Sequence, residues 1–198
     1  MEAHGIVVAR LPVADRGIDA FSHSQGQRPV VVLGSDKGDA ARSRFDAAHE
    51  LGHLICHPDA DPGSEQEQQA NTFAAELLMP SSHMQRILPR RFDLGAYARL
   101  KQEWGVSVAA LLYRAKTLEV IGDAAYRRAV VMMNKRYGRR HEPYPLLRSE
   151  DPTLLATACE VAARTGADVG RIADEACLPV ADVRVVVGVV DSRPLVSL

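Results

Sequence analysis

Between Arg42 and Ile55 the residues Phe45, Ala48, Gly52 and Ile55 recur at steps of three and four, which commits this stretch to an α-helix with one packed face. Pro58 ends it. The helix carries His49-Glu50-Leu51-Gly52-His53. Histidines four apart project from the same side of a helix, so both imidazoles can hold one metal ion. Glu50 is offset by about 100° from the first of them. It can therefore reach a water on the metal without taking a coordination position, and a metal lowers the pKa of that water towards roughly 7. Five residues with three fixed letters also arise by chance on amphipathic helices. The place of this motif, after strands and before a second helix with an acidic start, favours the metal.

A catalytic zinc site keeps three protein ligands and a water. A third histidine six residues after His53 is excluded, because Asp59 stands there. His57 lies two turns from His49, roughly 12 Å along the axis, and is expected to cap the helix or support a ligand. A second helix follows from about Ser64 to Pro80, with Ala70, Phe73, Ala74, Leu77 and Leu78 on one side. Of its acids, Glu65 and Glu76 are expected to face water, and Glu67 alone points inward. Glu67 also closes a capping box, Ser64-Glu65-Gln66-Glu67, and that alternative stays open. Asn71, one turn on, would support a ligand or be a polar residue at the edge of the stripe.

The rest of the chain reads as α+β. Ile6–Leu11, Ile18–Ser22 and Pro29–Leu33 are expected to form a small antiparallel sheet. Segment 35–41 and segment 58–63 are turn-rich connectors. Helices are expected over Leu94–Glu103, from Ser107 as N-cap to Leu118, and over Asp123–Tyr137. Residues 138–149, rich in Arg, Pro and Tyr, read as a linker. After Asp151-Pro152 a helix runs to about Thr165, a short one covers Asp168–Cys177, and Val183–Val190 suits helix or strand. The division is thus a principal domain over 1–148 and a small helical region over 149–198.

Composition bounds the function. The 198 residues are 46% hydrophobic and 25% charged, with net charge -1 and pI near 6.7. That is an ordinary globular chain without the basic field that gathers nucleic acid or anionic membrane. The helices around Gly105 have a helix-turn-helix outline, but Val108 to Leu112 offer no polar readers for base edges. The basic run Arg127, Arg128, Lys135, Arg136, Arg139 and Arg140 reads as a solvated face rather than a phosphate site. Cys56, Cys159 and Cys177 read as small buried thiols of a reducing compartment. No leader or membrane-spanning run is recognisable, so a cytoplasmic location is expected. Tyr97, Tyr113 and His83 are open candidates for a donor to a transition-state oxyanion.

Arg42-Ser43-Arg44-Phe45-Asp46-Ala47-Ala48-His49-Glu50-Leu51-Gly52-His53-Leu54, followed by Glu67-Gln68-Gln69-Ala70-Asn71-Thr72-Phe73-Ala74-Ala75-Glu76-Leu77-Leu78-Met79-Pro80, resembles the ImmA/IrrE-type metallopeptidases. The likeness extends to Trp104-Gly105-Val106-Ser107 and to Ala110–Ala115, and is strong over positions 5 to 120. It implies a gluzincin-like zinc site of His49, His53 and Glu67, with Glu50 as catalytic base. It also implies cleavage of a helix-turn-helix repressor or antitoxin, linked to stress response, transcription regulation or toxin–antitoxin control. Manganese or iron also suits such ligands. Asp46 departs from the small hydroxyl or apolar residue expected there. Many members carry an N-terminal helix-turn-helix domain. This sequence starts where the following strand would, as a stand-alone form or a fragment would. The rival readings are a non-cleaving metal-binding module that docks a partner protein, and a DNA-binding regulator with a structural metal.

Overall fold

A computed structural model describes residues 1–11, 19–34, 39–58, 63–138, 141, 143–146 and 150–188. Ile18, residues 35–38 and 59–62 of the two expected connectors, much of the 138–149 linker (Arg139 and Arg140 included) and Val189–Val190 lie outside them. The chain divides into two compact units, residues 1–36 with 151–198, and residues 37–150. The fold is α+β, as its sequence implies.

The first unit holds the sheet. Its strands are β1 (Val7–Leu11), β2 (Ala20–His23) and β3 (Val30–Gly34), in the order β1-β3-β2. β2 pairs antiparallel with β3, from Ala20 opposite Leu33 to His23 opposite Val30, and residues 24–29 close the hairpin. β1 pairs parallel with β3, from Val7 opposite Val30 to Leu11 opposite Gly34. The sheet is therefore mixed, not antiparallel throughout as expected. Val31, Val32 and Leu33 are all buried, so the most apolar strand takes the centre. The hairpin occupies one of its edges and leaves β1 the other. Alternation along a strand fixes which side chains face inward, not which neighbour it takes or in which direction.

Three helices complete this unit: α7 (Leu154–Arg164), α8 (Val169–Ala176) and α9 (Val180–Val186). α7 and α9 pack on β1. Ala173, Val183 and Val187 form a small core with Leu155, Cys159, Val169 and Ile172. The valine-rich tail that suits helix or strand is helical through Val186. α7 starts two residues later than Pro152 suggests, because the Glu2 carboxylate accepts the N–H groups of Thr153 and Leu154, at 3.1 and 2.9 Å. An acid at a helix N-terminus satisfies orphan donors and complements the dipole.

The second unit is helical: α1 (Ala40–Cys56), α2 (Ser64–Leu78), α3 (Ser81–Ile87), α4 (Leu94–Trp104), α5 (Val108–Thr117) and α6 (Asp123–Tyr137). Side-chain caps start three of them, at Asp39, Asp93 and Ser107. The core gathers Met79, Met84, Leu88, Tyr97, Val106, Val108, Leu111, Leu112 and Ala115. Val108, Leu111 and Leu112 of α5 are thus packing residues, as their lack of polar groups suggests. α3 has no local start signal. Its first N–H is accepted by Glu76 of the preceding helix, 2.9 Å away. Gly105 ends α4 with φ +66°, and a β-carbon there would lie 1.8 Å from Nη1 of Arg44. That nitrogen donates to the Gly105 carbonyl, and Arg44 also pairs with Glu150.

The free cysteines are not the buried set expected. Cys56 and Cys177 are exposed and Cys159 is half-buried, since Cys56 falls at the last turn of α1 and Cys177 in the turn after α8. Among the described residues no helix is long and apolar enough to cross a membrane.

The N-cap of α1 is tied to the core by charge. One Asp39 oxygen accepts the Ala41 N–H at 3.0 Å and the Leu146 N–H at 3.3 Å, and the other binds the Lys101 ammonium of α4. Lys101 is wholly buried. Breaking a buried pair leaves one charge without its partner, at a cost of about 3–5 kcal/mol. Lys101→Met is expected to lose about that much stability in urea unfolding. Adding Asp39→Ala to it is expected to cost less than the two single losses summed.

Candidate metal centre

The histidine helix and the glutamate helix meet along a seam of small residues. Ala48 and Gly52 of α1 face Ala70 and Ala74 of α2, and all four are buried. A β-carbon at Gly52 would sit 3.1 Å from Ala70 Cα and 3.2 Å from its carbonyl oxygen. A methyl group there is tight, and the facing backbone would have to give by a few tenths of an ångström. Glycine at the fourth motif position thus favours this close approach.

That approach brings three donors together. Nε2 of His49 and Nε2 of His53 are 3.0 Å apart. Each lies 3.3 Å from an oxygen of Glu67, His49 from Oε2 and His53 from Oε1. Ligands about 2.0–2.1 Å from a tetrahedral zinc stand about 3.3–3.4 Å from one another. One donor from each residue lies within 4.8 Å of the others, close enough for the three side chains to share such an ion. Without a cation or protons between them, these lone pairs would face each other unfavourably. The imidazoles are mostly shielded, at 17% and 16% exposure, while Glu67 is 49% exposed, so the cluster opens to solvent on the α2 side.

The capping alternative for Glu67 is not realised. Gly63 is the N-cap residue of α2 and no side chain caps this helix. The carboxylate turns to the histidines instead. The Asn71 Oδ1 stands 3.1 Å from Nδ1 of His49. With Nδ1–H donating to that oxygen, Nε2 is left as an acceptor aimed into the cluster. Glu50 is buried, at 7% exposure, and is not one of the gathered donors. His57 is the C-cap residue of α1. Its ring centroid is 5.9 Å from that of His53, and it is not one of the gathered donors.

Glu76 faces water as expected, at 52% exposure, but is also engaged. It binds the Arg114 guanidinium and accepts both the N–H and hydroxyl of Ser81, while Nε of Arg114 donates to the Met79 carbonyl at 2.9 Å. This clamp joins the end of α2 to α3 and α5. Helical angle alone does not reveal it, because both partners lie outside α2. The Ser81 backbone N–H, then Arg114, hold the Glu76 carboxyl below its ordinary pKa. A depressed acid stabilises the fold above its unfolded pKa, near 4.5, and loses that contribution as pH falls through the folded value. Glu76→Gln is therefore expected to be less stable than wild type at pH 7, with the gap closing in acid unfolding curves below pH about 4.5.

Of the candidate oxyanion donors, Tyr97 is wholly buried in the core, where desolvation pushes its hydroxyl up to about 12. It is out of reach of any substrate. His83 packs against Trp104, with centroids 5.1 Å apart. Tyr113 is exposed and lines a groove of about 810 Å³ between α1, α2 and α5. Phe45, Asp46, Ala75 and Ala110 line it too, and so do Glu67 and Asn71. Spacing along the chain gives no sign of this groove, because α5 reaches it from beyond two intervening helices.

The seam itself can be tested. Alanine at position 52 gains about 1 kcal/mol of helix propensity against about 1–3 kcal/mol of overpacking, so its net effect is small. Gly52→Val drives two more carbons into the Ala70 backbone and is expected to destabilise by about 2–3 kcal/mol in urea unfolding.

The chain matches the model of the IrrE N-terminal-like domain, peptidase family M78, over residues 1–116. No curated protein matches it. With more than half of the sequence inside that match and the two-histidine, one-glutamate cluster within it, the chain belongs to the ImmA/IrrE-type metallopeptidase family.

Proposed function

We propose that this protein is a zinc-dependent endopeptidase whose metal is held by His49, His53 and Glu67. The observation that carries the reading is that the two Nε2 atoms stand 3.0 Å apart and each has a different Glu67 oxygen 3.3 Å away, near the separation of ligands around one zinc ion. Manganese is the alternative ion for the same donors. When bound, the ion supplies an acidified water and a Lewis acid towards the scissile carbonyl.

The side chains have separate tasks. Asn71 fixes the ring of His49 and its tautomer. Glu50 accepts the proton of the attacking water and delivers it to the leaving amine nitrogen. Its burial suits a group that must exchange protons with a reactant rather than with bulk solvent. Residues 1–148 make up the catalytic portion in this reading, and 149–198 an accessory helical region. The family suggests a cytoplasmic enzyme acting on a helix-turn-helix repressor or antitoxin, with no membrane or direct nucleic-acid partner. Burial of Val108, Leu111 and Leu112 argues against DNA reading by α5.

Glu50→Gln separates this reading from a non-cleaving metal module. The variant is expected to bind one zinc per chain, as wild type does, and to cut a co-expressed repressor or antitoxin at least 100-fold more slowly. Equal cutting by both proteins would remove Glu50 from the mechanism. A wild-type protein that binds zinc and partner without cutting would leave the docking module as the better account.

A further inference from the structure

The groove beside the donor trio is larger than the proposed chemistry requires. Its volume, about 810 Å³, lies in the range of pockets that enclose a whole small ligand, about 300–1,000 Å³. A water and one peptide group fill only a small part of that. Glu67 and Asn71 belong to both the groove and the metal cluster. Phe45, Ala75, Met79, Ala110 and Tyr113 make the exposed surface of the groove mainly apolar, although Arg42, Asp46 and Arg114 are among the polar residues that also line it. The wall rests on firm ground, since α5 is anchored by the buried Val108, Leu111, Leu112 and Ala115 and by the Arg114 clamp. Tyr113 is nonetheless 54% exposed. An apolar surface held rigid, open to solvent and continuous with a polar centre is what a chain segment can occupy while its backbone passes the centre.

We propose that this groove receives a stretch of the substrate polypeptide next to the scissile bond, that it selects large apolar side chains there, and that Ala110 sets the size admitted. The inference rests on the peptidase reading for its substrate class. Ala110 is half-buried on the groove side of α5, and its small side chain leaves the space that a larger one would fill. Tyr113, one turn along, forms the outer wall.

The test uses the full chain loaded with zinc and a set of quenched-fluorescence peptides varied one position at a time. Wild type is expected to favour Leu, Met or Phe over Gly, Asp or Lys at one position beside the cut, by at least tenfold in kcat/KM. Ala110→Trp is expected to abolish that preference and Tyr113→Ala to weaken it at least fivefold, both with zinc stoichiometry unchanged. Should Ala110→Trp fail to fold, the Tyr113→Ala result decides. Selectivity unaltered by the variants, or a preference for charged side chains, overturns the groove assignment while leaving the peptidase reading intact. Binding of the same peptides to zinc-loaded Glu50→Gln is measured in parallel. Apolar peptides bound tenfold more weakly after Ala110→Trp is added, with no cleavage by wild type, would uphold the groove and overturn the hydrolytic role. Neither cleavage nor binding overturns both.

Discussion

The arrangement of this protein turns on the approach of two helix backbones across Gly52 and Ala70. Imidazole and carboxylate side chains reach only a few ångströms from their helices, so donors on two separate elements converge only if the axes run close. Small residues at 48, 52, 70 and 74 permit it. The remainder of the helical unit keeps the pair in register. Asp39 and Lys101 hold the start of α1, and Glu76 with Arg114 holds the end of α2. Both anchors lie away from the donors, which lets rigidity be supplied without crowding the site.

Much of this was legible in the sequence because it is local. The period of three and four fixes the α1 face, four-residue spacing puts His49 beside His53, and Ser107 and Pro80 mark the ends of their helices. Glu67 was legible in part. Helical angle turns it inward, yet the same residue closes a capping pattern with Ser64, and local sequence alone gives no means to choose. The choice is made by tertiary structure, through histidines two turns of chain and a connector away.

What escaped was non-local in the same sense. The direction of β1 depends on which edge of β3 the hairpin leaves free, a matter that alternation within strands does not address. α3 takes its cap from Glu76, and α7 takes its cap from Glu2, 152 residues away in sequence. In each case the signal lies outside the segment it starts. The groove is the largest example, since α5 joins α1 and α2 there from beyond two intervening helices.

One contact has an evolutionary corollary. The Arg44 guanidinium occupies the space that any side chain at position 105 would need, and it answers the carbonyl at the end of α4. A guanidinium at the end of a flexible side chain can swing aside, whereas the left-handed backbone at position 105, φ +66°, favours glycine whatever stands opposite. Across related sequences the glycine should therefore outlast the arginine.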